Sequence, residues 1–259
     1  MAASKPDVCS ALTSAVSRAV AVLREHRDWR LKNVISPCLA WCRDKAEAWD
    51  PIEVGVFGST QYGLCLASSD FDIALVVRPG CDWLRMLKHL LKVATRDSRT
   101  TCHTKEVAEG MRTLKLEFFG ICVDIQSVRA SRSADTACCS TDLLKLMLEE
   151  RRAVVGAVEA VHAFKLLAHH LHLCQHHMEH RRAQFKAISL CFFACAIIDY
   201  VRPLSGDVAA SAAGTYLLTI IEAFRLFDWR TLMVRVTMEG RTLIIKKQLA
   251  VIKTLVNTK

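Results

Sequence analysis

Several common signatures are missing from this chain of 259 residues. It has no recognisable secretory signal and no apolar run of membrane-spanning length, so we expect no membrane partner. Its 12 cysteines form no Cys-x-x-Cys pair, and several lie inside apolar segments, as buried reduced thiols do. We find no internal repeat and no low-complexity segment. These absences predict an intracellular protein of a reducing compartment, the cytoplasm or the nucleus.

The composition that is present favours a folded protein with a polyanionic partner. Hydrophobic residues make up 52% of the chain, enough for one large or two small cores. The net charge is +9 and the isoelectric point is near 9.0, which favours partners such as nucleic acid. The segment 10–27 is amphipathic and carries arginines. We interpret it as a domain helix, with a mitochondrial transit segment as the alternative.

The segment 54–77 holds the most informative pattern. It indicates an apolar strand, a tight turn at Gly58 and Ser59, a short polar helix from Thr60 and a second strand. Gly58 lets the backbone turn closely, and Ser59 with the amides that follow would form a phosphate cradle at a helix start. A Gly-Ser pair after a strand is, by itself, usually only a turn.

Two aspartates are expected on that second strand. Strand residues alternate between faces, so Asp70 and Asp72 would project the same way while Phe71 and Ile73 point into the core. Neighbouring carboxylates repel each other unless a divalent cation neutralises them, and oxygen ligands of this kind suit Mg²⁺. An isolated pair of this kind is usually a solvated strand edge. Carboxylates beside a phosphate cradle predict nucleotide chemistry.

With this joint pattern the chain resembles the DNA polymerase β nucleotidyltransferase superfamily, whose signature is a Gly-Ser turn followed by Asp-hydrophobic-Asp. The variant present here is similar to that of non-templated poly(A) polymerases and terminal uridylyltransferases. It consists of Phe57-Gly58-Ser59-x-x-x-Gly63-Leu64 and Ser69-Asp70-x-Asp72. The resemblance is strong over 52–126 and looser over 141–200.

The superfamily pattern asks for a third carboxylate, and Asp124 supplies one. A predicted strand over 111–119 and a turn at Gly120 lead to a short apolar strand over 121–125 that Asp124 interrupts. Such an Asp is expensive to bury without a partner, although an edge-strand or turn-capping Asp is the commoner case. The resemblance implies that Asp70 and Asp72 hold two Mg²⁺ or Mn²⁺ ions. It also implies that Asp124 joins the ion that activates an attacking 3′-hydroxyl.

The rest of the chain predicts two lobes. The first, over 1–130, is an α+β polymerase-β-like nucleotidyltransferase catalytic lobe, a small mixed sheet with helices. Helices are predicted before the sheet over 8–48, with a kink or a new start at Pro37. A polar linker over 129–140 leads to an all-helical lobe over 141–259, similar to a poly(A)-polymerase-associated domain. Helices are predicted over 81–95, 141–149, 152–175, 182–201, 207–227 and 241–256.

Three residues of the helical lobe are implied in nucleotide binding by the resemblance. Lys165 matches a helical Lys that reaches the triphosphate, whereas a lone helical Lys normally faces solvent. His169 stands where relatives often have a second basic residue. Phe185 lies near the position where relatives carry a Ser-Tyr pair that contacts phosphate and stacks on the base. The Tyr is missing here, and the ring of Phe185 would replace only its stacking on the base.

Seven histidines crowd the segment 162–180. We predict that His169, His172, His176 and His180 share a helical face, with His172 and His176 as a pair able to chelate a transition metal. A polar RNA-facing surface or a merely solvated face is the favoured interpretation.

The predicted activity is template-independent transfer of UMP or AMP from UTP or ATP to an RNA 3′ end, with release of pyrophosphate. An oligoadenylate or cyclic-dinucleotide synthase is one alternative, although that branch usually has Gly-Thr where this chain has Gly63-Leu64. A catalytically inactive RNA- or protein-binding scaffold is the other, and three retained carboxylates argue against it. The base-recognition loop of the family is not recognisable, which leaves UTP and ATP open.

Overall fold

The computed structural model describes residues 8–109, 112–129, 136–174, 186–201, 212–227, 234–236 and 242–244. The helices are α1 Val8–Arg30, α2 Ser36–Ala46, α3 Gly58–Gln61, α4 Trp83–Ala94, α5 Thr136–Arg151, α6 Ala157–His170, α7 Ala187–Val201 and α8 Ala212–Leu226. A π-helical turn, Leu31–Ile35, joins α1 to α2, and a 3₁₀ turn, Glu47–Trp49, follows α2. The strands are β1 Glu53–Phe57, β2 Phe71–Val77, β3 Thr100–Cys102, β4 Thr113–Phe118, β5 Ile121–Arg129, β6 Val234–Val236 and β7 Thr242–Ile244.

The chain divides into two compact units. One consists of Leu23–Asp142 and contains the large sheet. The other combines Met1–Val22 with Leu143–Lys259, so the beginning of α1 groups with the later helices. The domain bounds predicted from the sequence, 1–130 and 141–259, stay a prediction.

The five strands of the first unit form a mixed sheet in the order β1-β2-β5-β4-β3. The β2–β5 pair is parallel, whereas β1–β2, β4–β5 and β3–β4 are antiparallel. One face of the sheet packs on α2 and α4 because alternate strand residues are apolar. Its fully buried strand residues are Phe71, Ile73, Leu75, Leu114, Phe118, Val123 and Ile125. This arrangement confirms the predicted α+β class.

The opposite face of the sheet is apolar at one end and acidic at the other. Ala74 and Val76 of β2 pack there with Val128 of β5 and Cys138 of α5. Asp72 lies on the same face, because it is two residues before Ala74 on the strand. The apolar end of β2 is buried, while Asp72, near the beginning of the strand, is half-buried.

A buried arginine at the end of α1 holds the loop that precedes β2. Arg30 donates hydrogen bonds to the carbonyl oxygens of Leu66 at 3.3 Å, Ala67 at 3.1 Å and Ser69 at 2.7 Å. Its guanidinium lies over the ring of Phe71, 4.1 Å from the centroid. The loop therefore enters β2 in a fixed conformation, although no strand pairing reaches it.

The break predicted near Pro37 is present as the π-helical turn Leu31–Ile35, after which α2 starts with Pro37 in its first turn. Proline lacks an amide proton, and it is tolerated in the first turn of a helix, where that donor has no helical partner.

In the second unit, aromatic residues of three helices pack against one another. Phe224 of α8 lies 5.5 Å from Phe164 of α6 and 5.8 Å from Phe193 of α7, measured between ring centroids. Arg151, fully buried at the end of α5, forms an ion pair with Asp199 of α7. These contacts give the unit its own core.

Two sequence predictions for the later chain are wrong. The helix predicted over 241–256 is contradicted by β7, Thr242–Ile244, which pairs antiparallel with β6. The linker predicted over 129–140 is too long, because β5 extends to Arg129 and α5 begins at Thr136. Within the described ranges, no helix is both long enough and apolar enough to cross a membrane.

Candidate active site

The turn between β1 and α3 brings its backbone against a carboxylate. Gly58 has a φ of +65°, and a Cβ atom built on it would lie 2.2 Å from Oδ2 of Asp72. Its amide donates a 3.1 Å hydrogen bond to the hydroxyl of Thr141 in α5. Gln61 donates a 2.7 Å hydrogen bond to Asp142. The predicted turn is present, and α3 begins at Gly58 rather than at Thr60.

The paired aspartates differ from the prediction in one respect. β2 begins at Phe71, so Asp72 lies on the strand but Asp70 lies just before it. Phe71 and Ile73 are fully buried, as expected for the residues that alternate with Asp72. Asp70 falls outside the strand because no neighbouring strand pairs with it, while the loop ahead of it is held by Arg30.

Strand register places the third carboxylate beside the second. Asp72 of β2 is directly opposite Asp124 of β5 in the parallel pair. Residues paired in this way project to the same face of a sheet and lie about 5 Å apart between strands. Asp72 and Asp124 are 52 positions apart in sequence, and one strand pairing brings them side by side.

A lysine that the sequence reasoning missed contacts this carboxylate group. Lys115 of β4 is the register partner of Asp124, and its Nζ lies 2.6 Å from Oδ2 of Asp124. Burial alone would lower the pKa of the Lys115 ammonium. The hydrogen bond to Asp124 and the charges of Asp124, Asp70 and Asp72 outweigh burial and raise that pKa. Lys115 therefore stays charged and offsets part of the repulsion among the three carboxylates.

The sequence did contain a signal for this contact. Phe118 pairs with Ile121, which leaves Phe119 and Gly120 as a two-residue turn, with φ values of 52° and 75°. A two-residue hairpin turn fixes the register of both strands. Counting back from Gly120 would have placed Lys115 opposite Asp124.

The three carboxylates fit a hard divalent cation. Asp70, Asp72 and Asp124 are all partly exposed, and all offer oxygen atoms. Oxygen-only ligand sets suit Mg²⁺ and Mn²⁺. The charges of Asp70 and Asp72 both act on Lys115, which itself contacts Asp124, so the three groups share one neighbourhood. The assignment of these oxygen atoms to the predicted metal ions stays a prediction.

The candidate residues of the helical half lie in the second unit. Lys165 is 4% exposed, which contradicts the solvent-facing alternative for this residue. Burial raises the pKa of the Cys191 thiol to about 11, and the nearby charge of Lys165 acts in the opposite direction. His169 is half-buried near the end of α6. Phe185 lies outside the described residues.

The predicted histidine face is not formed as expected. α6 ends at His170, and His172 has a φ of 55°, which is not helical. His169 and His172 therefore do not continue one helical face. His176 and His180 lie outside the described residues. His162, by contrast, is buried inside the second unit.

The structure is similar to solved structures of RNA-modifying polymerases. Against the polymerase core of TRAMP, an RNA surveillance complex, the identity is 17% and the TM-score 0.64, over 93% of this chain and 72% of that one. Against the Cid1 poly(U) polymerase the identity is 14% and the TM-score 0.62, over 90% and 78%. Against terminal uridylyl transferase 4 from Trypanosoma brucei with bound dUTP the identity is 12% and the TM-score 0.55, over 87% and 79%.

No family model matches the sequence, and no curated protein matches it. The structural likeness confirms the fold that the sequence predicted. The chain has the polymerase-β-like nucleotidyltransferase fold seen in poly(A) polymerases and terminal uridylyltransferases.

Proposed function

We propose that the protein is a template-independent RNA nucleotidyltransferase that adds UMP or AMP from an NTP to an RNA 3′ end and releases pyrophosphate. The observation that carries the proposal is the register that sets Asp72 beside Asp124, with the Gly58 turn packed against the Asp72 carboxylate. The fold shared with poly(A) and poly(U) polymerases supports the same class of reaction.

The carboxylates would hold two divalent ions, Mg²⁺ or Mn²⁺. When bound, such ions lower the pKa of an attacking hydroxyl and stabilise the leaving pyrophosphate. Asp70 and Asp72 would hold both ions, and Asp124, which lies beside Asp72, would be the third carboxylate ligand, for the ion that acts on the RNA 3′-hydroxyl. Lys115, already paired with Asp124, would offset part of the negative charge of the three carboxylates.

The turn after β1 would hold the phosphates of the NTP. Ser59 lies in α3 directly after Gly58, where backbone amides and a hydroxyl suit a phosphate group. Because the Gly58 amide already donates to Thr141, we assign the phosphate contact to Ser59 and the amides after it. Lys165 and His169 are proposed as further phosphate contacts on the basis of the family resemblance, and Phe185 as a stacking surface.

RNA would bind mainly through its phosphates. The chain carries a net charge of +9, and this excess favours sequence-tolerant contacts with a single-stranded 3′ end.

All 12 cysteines, each of which lies in the described part of the chain, are free thiols. Free thiols are consistent with action in a reducing compartment.

The deciding experiment incubates the purified protein with a short end-labelled RNA and each NTP in turn, with Mg²⁺ or Mn²⁺. Stepwise extension with UTP or ATP is the expected result, and the preferred NTP identifies the tail. Asp72→Asn should reduce the rate on the order of 10³-fold or more while the far-UV circular dichroism and the Tm stay close to wild type. Extension by Asp72→Asn at the wild-type rate would contradict the metal assignment.

The same reaction separates the alternatives. Soluble oligonucleotide or cyclic products formed from NTPs without RNA would favour a signalling-nucleotide synthase. If no NTP is transferred to any RNA end and no soluble product forms, the protein is a binding scaffold with this fold.

A further inference from the structure

Three metal-binding side chains meet on the sheet at one side of the carboxylate group. They are His103, Glu117 and Cys122, and their ligand atoms all lie within 4.8 Å of one another. His103 Nε2 and Glu117 Oε1 are 3.0 Å apart. In a tetrahedral site with bonds of about 2.0–2.3 Å, ligand atoms lie roughly 3.3–3.7 Å apart. Small side-chain rotations would therefore close this cluster around an ion.

Strand pairing builds the cluster from neighbouring strands. Glu117 of β4 is the register partner of Cys122 of β5. His103 follows β3 directly, and its amide donates a 3.1 Å hydrogen bond to the carbonyl of Lys115 in β4. Side chains set on paired strands hold their relative positions better than side chains on loops do. The three ligands are thus placed before any ion arrives.

The cluster is accessible and has room for a fourth ligand. The side chain of His103 is 50% exposed and that of Glu117 is 32% exposed. Cys122 is only partly buried. An ion held by these three groups would complete a tetrahedral shell with a water molecule, as in zinc sites with three protein ligands.

The ligand chemistry differs from that of the carboxylate group. A thiolate, an imidazole and one carboxylate suit Zn²⁺ and similar transition metals, whereas Mg²⁺ prefers oxygen ligands alone. Asp70, Asp72 and Asp124 therefore form a site for hard cations, and His103, Glu117 and Cys122 form one for softer cations.

The surrounding charge favours a cation. Glu117 lies directly across from Cys122 in the β4–β5 pair, and Asp124 lies two residues further along the same face of β5. The ammonium of Lys115 is hydrogen bonded to Asp124, which offsets its charge. The carboxylates of Glu117 and Asp124 would attract a divalent ion to this face, and binding of the ion to Cys122 would release the thiol proton to solvent.

We propose that His103, Glu117 and Cys122 form a second, separate metal site that binds one Zn²⁺-class ion. Binding replaces the thiol proton, and any proton on the imidazole, with the ion and one water molecule. Cys122 and Asp124 are two residues apart on the same face of β5, so this ion lies next to the proposed Mg²⁺ site. The site does not depend on the proposed nucleotidyltransferase activity.

Cobalt titration tests the proposal without NTP or RNA. Co²⁺ added to the metal-free protein should produce a thiolate-to-metal charge-transfer band that saturates at one equivalent per chain, whatever further Co²⁺ the carboxylates bind, and Zn²⁺ should then remove the band by competition. Cys122→Ser should abolish the band, and His103→Gln should weaken Co²⁺ binding by at least the roughly 10–100-fold that loss of a supporting residue costs. Circular dichroism establishes that each variant is folded.

Two matched controls locate the ion. Cys102 is one residue from His103 but packs against the core on the other face, so Cys102→Ser should leave the band unchanged. Asp124→Asn should keep the band at saturating Co²⁺, because that carboxylate is not a ligand of this ion, and only the Co²⁺ affinity should fall with the lost charge. The proposal is overturned if wild type gives no band, if the band survives in Cys122→Ser, or if His103→Gln binds Co²⁺ as tightly as wild type. Should Cys122→Ser not fold, the His103→Gln result decides alone.

Discussion

Replacing Gly58 by alanine would place a methyl group where the Asp72 carboxylate now lies. The added Cβ would be 2.2 Å from Oδ2, 3.0 Å from Cγ and 3.4 Å from Cβ of Asp72. Since ordinary contact begins near 3.4 Å, the Oδ2 atom must move by about 1.2 Å. The backbone gives way less readily, because β1 and β2 are paired through Phe57 and Asp72.

The expected cost falls mainly on catalysis. An alanine at a positive φ loses about 1–2 kcal/mol of folding stability. A misplacement of about 1 Å in a catalytic group costs on the order of 10²-fold in rate, which corresponds to about 2.7 kcal/mol of activation free energy. Gly58→Ala should therefore lose about 10²-fold in nucleotide addition while remaining folded at 25 °C.

Gly80→Ala is the matched control, because Gly80 has a φ of +87° and a Cβ there would meet nothing within 4 Å. It should lose a similar amount of stability and keep wild-type activity. Extension of a labelled RNA, followed beside thermal unfolding, measures both quantities. If Gly58→Ala retains activity within a few-fold of Gly80→Ala, the contact with Asp72 does not control the chemistry.

Four further predictions test the remaining assignments. Asp124→Ala should bind the Mg²⁺-NTP complex within a few-fold of wild type but lose transfer, so normal transfer would show that the third carboxylate is misassigned. Lys115→Met should lower the Tm of the metal-free protein because Asp124 loses its partner, and added Mg²⁺ should restore the Tm. A Tm that does not respond to the substitution would contradict the role of Lys115 in offsetting the repulsion among the carboxylates. Ser59→Ala and Lys165→Ala should mainly raise the KM for NTP, with RNA affinity unchanged, and an unaltered KM in either variant removes that residue from the phosphate site. The logarithm of RNA affinity should fall linearly with the logarithm of salt concentration, whereas a flat dependence would assign the +9 charge to another partner.

The sheet could be predicted well because β2 is an almost continuous apolar run and β4 alternates between apolar and polar residues, and both patterns are typical of strands. The apolar runs around Asp72 and Asp124 each became a strand of the same sheet. The end of β5 could not be predicted in this way, since Gln126 and Ser127 interrupt the apolar run. Both residues nevertheless pair with β2, and the Ser127 amide donates to the carbonyl of Arg112. A central strand is held by hydrogen bonds on both sides, so it tolerates polar residues that would end an edge strand.

The later chain was predicted less well because helical spacing does not show where a helix stops. No glycine or proline lies near His170, so the apolar spacing suggested a helix continuing to residue 175. The apolar residues after 241 also fit helical spacing, but Thr242–Ile244 pairs with another strand. Pairing with a distant segment is not encoded in local periodicity.

The sequence identified the residues of the candidate site but not the contacts that they make. The motif located Asp70, Asp72 and Asp124, whereas the ion pair with Lys115 required the hairpin register. The buried position of Lys165 depends on how the helices of its own unit pack, which a helical pattern alone does not specify.

The strand order has a consequence for how the polypeptide is made. β5 is synthesised last of the five strands, yet it occupies the middle of the sheet between β2 and β4. A nascent chain that ends before Ile121 would leave facing edges of β2 and β4 without partners, and such edges pair readily with other chains. Insertion of β5 closes both edges and brings Asp124 to Asp72 in the same step. We therefore expect a ribosome-bound chain to become resistant to aggregation in the same step in which its carboxylate group forms, namely the insertion of β5.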